Sequence, residues 1–384
     1  MRYKLGEIAT VTKLAGFEFT KYMKYIPDGE IIAIRALNLK NGTLVLEDIR
    51  RIARDVSESL ERSRLYKNDI VLSYTGTVGE CAQITENGKY HLAPNVCKIT
   101  PKAEVVDPIF LFQYVRSSLF KQVMLNYCHG STQPTIPMTT IRELPVEIEF
   151  DTVQQRKVAD IISCIDDKIA LNQQINKNLE ETLEAIYQER FSSVTKNALS
   201  DVCTYSKERI SVKDLTLDNY YSTENMLPYK AGADIATSLP MTSQTIKCHI
   251  GDVLVSNIRP YFKKILYCYC DCGCSNDVLC FTPKSKNLSA FLYCTLYADR
   301  FFDFMVAGAK GTKMPRGDKQ QIMTYPVQLP LAEELETFNA LANPMLQQIN
   351  TNSVENNRLA ALRDALLPRL MSGEIDVSGI DIKP

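Results

Sequence analysis

The strongest constraint on the fold is that the chain repeats itself over a long distance. Landmarks of the first half recur in the second half in the same order: Asp69 as Asp252, Thr100-Pro101 as Thr282-Pro283, Phe110-Leu111 as Phe291-Leu292, and Pro145-Val146 as Pro326-Val327. The separation drifts slowly from 183 to 181 residues, whereas chance matches would scatter. Duplication of this kind predicts two similar folded units in one chain.

The clearest repeated segment is helical. Side chains spaced by seven form two sets, the second 180 residues after the first: Val158, Ile165, Asn172, Leu179 and Ile186, then Phe338, Met345, Asn352, Leu359 and Leu366. This spacing places each set on one stripe of a helix, as in the a positions of a coiled coil. The d positions are poorer, so we expect a partly packed helix pair. Asp151 and Gly373 suit N-cap and C-cap positions, whereas Pro344 should kink or break the second helix.

The remaining chain forms two segments in which short β-type runs alternate with turns. Near the end of each segment, an aromatic-rich stretch, 110–123 or 291–305, indicates a helix. The sequence therefore predicts an α+β fold: two mixed α/β domains separated by two long antiparallel coiled-coil-like helices, with an internal pseudo-two-fold repeat. The predicted boundaries are 1–149 and 195–330 for the domains, 150–194 and 331–373 for the helices, and 374–384 for a C-terminal tail.

Composition restricts the environment and the possible ligands. No apolar run reaches the roughly 18–20 residues that cross a bilayer, and the first residues lack the apolar core of a signal peptide. We therefore expect a cytoplasmic protein whose 12 cysteines are reduced and mostly buried. The net charge is −1, so a nucleic-acid reader with this balance must concentrate its basic residues locally.

Several stretches together resemble a known family. They are Tyr3-Lys4-Leu5-Gly6-Glu7-Ile8, Asp69-Ile70-Val71-Leu72-Ser73 with its Thr75-Gly76-Thr77-Val78-Gly79 turn, the segments 256–264 and 310–318, and Arg363-Asp364-Ala365-Leu366-Leu367-Pro368-Arg369-Leu370. With the order globular, helix, globular, helix, this set resembles the DNA-specificity subunit of type I restriction–modification systems. The resemblance extends over almost the whole chain.

This resemblance implies a function without catalysis in the chain itself. Each globular unit would be a target-recognition domain that reads one half of a split site in double-stranded DNA. The helices would be spacers that fix the half-site separation, with the two domains at opposite ends of the pair. Two methyltransferase (modification) subunits and the restriction (motor–nuclease) subunits would be the protein partners. No membrane and no cofactor is expected.

Candidate DNA-binding residues are clearest in the second domain. Arg259, Tyr261, Lys263 and Lys264 combine basic and aromatic side chains, which can reach phosphates, guanine edges and sugars. Lys310, Lys313, Arg316 and Lys319 lie among glycines that let the backbone approach DNA closely. The alternative interpretation is a solvated strand end followed by a flexible surface loop.

The first-domain candidates are polar and uncharged: Tyr74, Thr75 and Thr77, then Ser131, Thr132 and Gln133. Serine and glutamine can contact base edges, but ordinary turns remain an alternative. Six basic residues also make this domain locally basic, namely Arg50, Arg51, Arg54, Arg62, Arg64 and Lys67, which a solvated surface explains equally well. In the helices, Asn172 and Asn352 are candidates for setting the register of the pair.

Metal and catalytic motifs are weak. Cys268, Cys270, Cys272 and Cys274 would share one face of an extended strand, but their C-x-C spacing does not suit zinc. The sequence has no nucleotide-binding P-loop and no methyl-transfer motif that we recognise. Two rival hypotheses remain: a stand-alone DNA methyltransferase or nuclease with an unrecognised site, and a coiled-coil adapter that binds proteins.

Overall fold

A computed structural model of the chain describes residues 2–130, 133–148, 150–191 and 197–380. The chain divides into two compact units. Unit 1 comprises residues 1–170 and 356–384, and unit 2 comprises residues 171–355. Each unit thus contains one globular segment and part of each long helix. The predicted class, mixed α and β with two long paired helices, is confirmed.

Unit 1 begins with a series of short elements. Its strands are Arg2–Lys4 (β1), Ala9–Lys13 (β2), Ile31–Ile34 (β3), Leu39–Lys40 (β4), Thr43–Leu44 (β5), Arg50–Ile52 (β6), Arg64–Leu65 (β7), Ile70–Ser73 (β8), Cys81–Gln83 (β9), Tyr90–Leu92 (β10), Val96–Pro101 (β11) and Pro145–Glu147 (β12). Its helices are Leu5–Ile8 (α1), Gly16–Tyr22 (α2), Arg54–Ser59 (α3), Pro108–Arg116 (α4), Ser118–Asn126 (α5) and Met138–Glu143 (α6).

Unit 2 repeats part of this series. Its strands are Asn197–Ala198 (β13), Cys203–Tyr205 (β14), Arg209–Ser211 (β15), Tyr220–Tyr221 (β16), Gln244–Cys248 (β17), Val253–Ser256 (β18), Ile265–Tyr267 (β19), Cys272–Cys274 (β20), Val278–Pro283 (β21) and Pro326–Val327 (β22). Its short helices are Leu199–Val202 (α8), Ser289–Tyr297 (α9), Asp299–Ala307 (α10) and Lys319–Ile322 (α11). The long helices are Thr152–Phe191 (α7) and Ala332–Met371 (α12).

The duplication is visible in the sheets. An antiparallel sheet of order β2-β11-β8-β9 in unit 1 corresponds to β14-β21-β18-β19 in unit 2. A two-stranded pair also recurs, as β1-β12 and as β13-β22. The second sheet of each unit has its own order, β6-β3-β10-β7 against β15-β17-β20-β16, and each contains one parallel pair. The repeat is therefore closest around the central strands β8 and β18.

The two aromatic-rich stretches differ from their prediction. Each was expected as one helix, but each forms two, α4 with α5 and α9 with α10. The breaks fall at Ser117 and Ala298, whose backbones are extended. The Ser117 hydroxyl accepts a hydrogen bond from the amide of Phe120 at 3.2 Å and so caps α5. A local serine cap competes with helix continuation, which the apolar pattern does not reveal.

The ends of the long helices follow local sequence signals, with one exception inside. Asp151 Oδ1 accepts from the amide of Gln154 at 2.9 Å, the expected N-cap bond, and Gly373 follows α12 with a φ of 74°. The break predicted at Pro344 is wrong, because α12 continues through it. Pro344 is exposed, as is Ala340 one turn earlier. Water can therefore hydrogen-bond the carbonyl that proline leaves without a partner.

Each unit packs its sheet against its own portion of the helices. In unit 1, Val158 and Ile162 of α7 and Leu367 and Leu370 of α12 join the core of the β2-β11-β8-β9 sheet. Unit 2 is similar, with α7 residues 183–191 and α12 residues 335–346 in the core of the second sheet. Residues early in α7 meet residues late in α12, and the reverse, so the pairing is antiparallel within each unit. Burial of this apolar surface stabilises the helices beyond their propensity.

Candidate nucleic-acid interface

In unit 1, the loop after β8 is held to a hairpin by backbone hydrogen bonds. We call loop 74–79 and the hairpin formed by residues 128–130 and 133–136 the first loop pair. The amide of Gly76 donates to the Pro134 carbonyl at 2.9 Å, and that of Ile136 donates to Tyr74 at 3.0 Å. The hairpin is closed by His129 and Thr135, which exchange bonds of 2.9 and 3.0 Å.

In unit 2, the loop after β18 is held to its hairpin in the same way. Loop 257–264 and hairpin 309–317 form the second loop pair. The amide of Arg259 donates to Pro315 at 2.8 Å, and that of Gly317 donates to Asn257 at 3.2 Å. Lys310 and Arg316 exchange two bonds of 2.9 Å.

The two loop pairs share one backbone frame but differ in chemistry. The bridge between Thr75 and Thr135 in unit 1 corresponds to the bridge between Ile258 and Arg316 in unit 2. All four backbone bonds recur between equivalent positions. The first pair carries hydroxyls and an amide, whereas the second carries guanidinium and ammonium groups. A shared frame with different side chains suits two surfaces that read different sequences.

The loop of the second pair is conformationally constrained. Arg259 and Lys263 have left-handed backbones, with φ of 51° and 50°, and flank a short turn at Pro260–Phe262. Such φ values are uncommon outside glycine and often mark functional loops. Lys263 forms an ion pair with Asp299 at 3.0 Å. The exposed Tyr261 ring packs against Phe262, with centroids 4.8 Å apart.

Lys264 differs from the other basic candidates because its side chain is turned inward. Its Nζ donates to the carbonyl of Thr223 at 2.6 Å. Burial lowers the pKa of this ammonium group from its usual range. Lys264 therefore contributes to the loop's own structure more than to an outward surface.

Within the second loop pair, the exposed basic side chains lie in the hairpin. Lys310 is paired with Asp318, and Arg316 Nη2 lies 3.0 Å from Asp277 Oδ1. Lys313 and Lys319 are exposed, and within the described ranges neither side chain has an ion-pair partner. Lys313 lies at the hairpin tip, where a cation can approach phosphate.

A cleft of about 540 Å³ opens beside the second loop pair. Its lining combines hydroxyl, carboxylate and basic groups with apolar ones, including Ser222, Glu224, Arg259, Lys264 and Asp277. Arg259 Nε is buried there and, within the described residues, has no hydrogen-bond partner. This cleft was not predicted from the sequence, because its walls come from separate segments between residues 220 and 314.

The first loop pair is neutral and internally bonded. Oγ1 of Thr75 lies 2.8 Å from Oγ1 of Thr135, and Oγ1 of Thr77 lies 3.4 Å from the Ser73 hydroxyl. Tyr74 is half-buried beneath the ammonium group of Lys13, 5.5 Å from the ring centroid. Gln133 is exposed. The remaining candidates, Ser131 and Thr132, lie outside the described residues.

Two features of unit 1 were missed in the sequence. Lys13 lies over Tyr74, and the segment that follows exposes Phe17, Tyr22 and Tyr25. This exposed aromatic segment could have been predicted from the alternation of aromatic and lysine residues over 17–25. By contrast, several arginines of the locally basic stretch are paired with carboxylates: Arg54 with Glu30, Arg62 with Glu18 and Arg64 with Glu61.

The two helix asparagines are buried within unit 2, at 1% and 4% exposure. Asn172 Nδ2 donates to Glu355 Oε2 at 2.7 Å, and Asn352 Nδ2 donates to Asn176 Oδ1 at 2.7 Å. Each asparagine thus bonds to the opposite helix about one turn from the other asparagine. Polar contacts of this type within an apolar stripe favour one alignment of two helices.

Five cysteines of unit 2 form a buried group, namely Cys248, Cys268, Cys272, Cys274 and Cys280. The four that were predicted to share one strand face do not share it. The run predicted as one extended strand is interrupted by a turn between β19 and β20, which leaves Cys270 exposed. Cys268 and Cys272 are buried with their sulfur atoms 3.7 Å apart. Among the described residues, no set of three or more cysteine, histidine or acidic side chains is arranged to hold a metal. No helix in the described ranges is both long and apolar enough to cross a membrane.

The fold has a solved counterpart. The crystal structure of the type I restriction–modification system S subunit from M. genitalium matches with a TM-score of 0.55 and 14% identity, and covers 97% of this chain and 96% of its own. At this identity the likeness concerns the fold. It defines the class: an internally duplicated protein with two globular units and two long helices.

The sequence comparisons find similar proteins of one kind. Residues 1–181 match the family of the type I restriction modification DNA specificity domain. The specificity subunit of the type I restriction enzyme EcoBI from Escherichia coli is 24% identical over 159 residues, 40% of this chain. That of HindI from Haemophilus influenzae is 26% identical over 196 residues, 49% of this chain. That of MjaIX from Methanocaldococcus jannaschii is 24% identical over 324 residues, 73% of this chain and 71% of its own.

These matches confirm the resemblance found in the sequence: the chain is similar to the specificity subunits of type I restriction–modification systems. The matched parts span 32% of the EcoBI subunit and 40% of the HindI subunit.

Proposed function

We propose that this chain is the DNA-specificity subunit of a type I restriction–modification complex. Its two globular segments would act as target-recognition domains, each reading one half of a bipartite target in double-stranded DNA. The long helices would set the separation of the half-sites. The chain would work in the cytoplasm and would not itself catalyse methyl transfer or cleavage.

One observation carries this proposal. The two loop pairs keep the same four backbone bonds while their side chains change from neutral to basic. A protein that reads two unlike half-sites needs such a constant frame with variable contacts, because backbone geometry positions the surface and side chains specify bases. A coiled-coil adapter that binds proteins has no need for this combination.

The catalytic subunits are part of the proposal. Two modification subunits and the restriction subunits would assemble on this chain and supply methyl transfer and cleavage. The exposed apolar residues of the long helices, Val153, Leu171 and Leu362 among them, are suitable contacts for protein partners.

Methylome sequencing of cells that carry this chain with its partner subunits tests the proposal. The expected motif has two unlike, non-palindromic halves separated by unspecified bases. A single continuous motif, or a perfectly palindromic one, would contradict it. Assays of the purified chain alone test the rival enzyme hypothesis, since methyl transfer or cleavage without partners would favour a stand-alone enzyme. DNA binding that weakens steeply with salt would exclude the adapter hypothesis.

A further inference from the structure

The backbone of Arg316 is held by neighbours on both sides. It exchanges two hydrogen bonds with Lys310 across the hairpin. It also forms a bridge with Ile258 of the neighbouring loop, and the amide of the next residue, Gly317, donates to Asn257. The Cα of Arg316 is therefore fixed from both sides.

The side chain of Arg316 is oriented by a carboxylate. It is 56% exposed, and its Nη2 lies 3.0 Å from Oδ1 of Asp277. Asp277 is fixed in turn, because its carbonyl accepts the amide of Asn257 at 2.8 Å. Asn257 thus connects the loop to both the arginine hairpin and the aspartate turn. A guanidinium has five N–H donors in one plane, so an arginine with one nitrogen on Asp277 still has donors for a second partner.

The other basic groups of the second loop pair lack this combination. Lys310 and Lys263 are paired with Asp318 and Asp299, and Lys264 is turned towards Thr223. Arg259 is half-buried, with its Nε inside the structure. Lys313 is exposed at the hairpin tip. A lysine ammonium is a point charge, whereas the planar arginine fork matches two acceptors at once. Within the described part of this loop pair, Arg316 alone joins a fixed backbone, an exposed fork and a carboxylate support.

The equivalent position in unit 1 carries different chemistry. Thr135 occupies the place of Arg316 in the first loop pair, and its hydroxyl lies 2.8 Å from that of Thr75. A threonine hydroxyl cannot make the paired contact to the N7 and O6 atoms of guanine that arginine makes in the major groove. Equivalent backbone positions in the two loop pairs therefore carry side chains that can make different contacts with bases.

We propose that Arg316 recognises a guanine in one half of the DNA target and that Asp277 is a positioning residue that holds its guanidinium. This inference rests on the proposed function and assigns the substrate contact of the second loop pair. Asp277 acts through Arg316 and does not itself contact the base. The expected discrimination against other bases at this position is roughly 10- to 100-fold, as for a bidentate arginine–guanine contact.

The test measures the recognised motif of the complex of this chain with its partner subunits, on a library of duplexes with randomised half-sites. Four variants are compared with the wild type: Arg316→Ala, Arg316→Lys, Asp277→Asn and the Asp277→Asn/Arg316→Ala double variant. Arg316→Lys keeps the charge and removes the fork, so it separates base reading from phosphate attraction. Lys313→Ala is the matched control, since it removes an exposed cation from the same hairpin.

The expected result is relaxed selectivity at one guanine of one half-site in both Arg316 variants, with the other half-site unchanged. Asp277→Asn should relax the same position less, and the double variant should be no worse than Arg316→Ala. Lys313→Ala should weaken binding to all sequences without changing the motif. Retention of the wild-type motif by both Arg316 variants, relaxation at a non-guanine position, or a wild-type motif without guanine would overturn the inference. If the wild-type complex does not bind a bipartite site, the proposed function fails instead.

Discussion

Asn172 of the first long helix donates a hydrogen bond of 2.7 Å to Glu355 of the second, while Asn352 donates one of equal length to Asn176. Both asparagines occupy the apolar stripe of their helix and are buried. Because each bond joins one particular position to another, a slip of one heptad would break both bonds. It would also shift one helix by roughly 10 Å along the axis of the other.

We therefore predict that the Asn172→Leu/Asn352→Leu double variant stays folded but loses its fixed alignment. Polar residues at such positions cost stability while specifying register, so thermal stability should be kept or raised. The spacing between methylated half-sites should become variable or change, which methylome sequencing would report. Gln173→Leu, an exposed neighbour on the same helix, is the control and should leave the spacing as it is. Unchanged spacing in the double variant would assign the asparagines to another role.

The salt dependence of DNA binding should show which lysines of the second loop pair contact phosphate. Replacing Lys263, Lys264, Lys310 and Lys313 together with alanine should weaken DNA binding and flatten its salt dependence. Lys313→Ala alone should lower the log–log slope by about 0.9, the value for one phosphate contact. Lys264→Ala should leave the slope unchanged, because that ammonium group already donates to Thr223. Equal slopes for the wild type and the quadruple variant would place these residues away from DNA.

Glu180 should make the stability of unit 2 depend on pH. Burial raises its pKa to about 7, although the Tyr297 hydroxyl at 3.2 Å and Lys230 act in the opposite direction. Between pH 4.5 and 7 the folded state then keeps a proton that the unfolded state has lost. Stability should fall as the pH rises through this window, by up to about 1.4 kcal/mol per pH unit.

Denaturant unfolding at several pH values measures this effect in Glu180→Gln. The variant cannot ionise, so the slope assigned to Glu180 should disappear. Glu181→Gln, an exposed neighbour, should retain it. A wild-type stability that rises with pH across the same window would show that other groups dominate.

Gly317 should tolerate no side chain. A Cβ there would lie 2.8 Å from Asn257 Oδ1 and 2.9 Å from the Ile322 side chain. We predict that Gly317→Ala lowers the free energy of unfolding by about 1–3 kcal/mol, typical of overpacking in a close-packed region. Gly16→Ala is the matched control, because a Cβ at Gly16 meets nothing within 4 Å. Equal denaturation midpoints for the two variants would contradict the prediction.

The repeated segments and the helix caps were predictable from the sequence. The recurrence of Asp69 as Asp252 has a structural cause, because each carboxylate is buried and accepts the backbone amide three residues earlier, that of Tyr66 or of His249. The heptad stripe and the Asp151 cap also follow from local spacing. These signals operate within a few residues or within one helix face, so a single sequence reveals them.

The site was less predictable, because its contacts join distant residues. Arg316 was a candidate as a basic residue in a glycine-containing loop, but its partner Asp277 lies 39 residues earlier with no periodic relation to it. Lys264 looked like the other lysines, and its inward turn depends on the position of the Thr223 carbonyl. The break predicted at Pro344 is absent because exposure of the helix at that position lets water replace a lost hydrogen bond.

The loop pairs are joined through main-chain amides and carbonyls, as between Arg259 and Pro315 or between Gly76 and Pro134. Such bonds do not involve side chains, although close packing restricts Gly317 and a positive φ restricts Gly76, Gly130 and Gly311. Mutations at outward positions of the hairpins can therefore accumulate without a folding cost. Under the proposed function, the loop pairs could therefore acquire a new target sequence through a few substitutions at these outward positions, with the backbone frame unchanged.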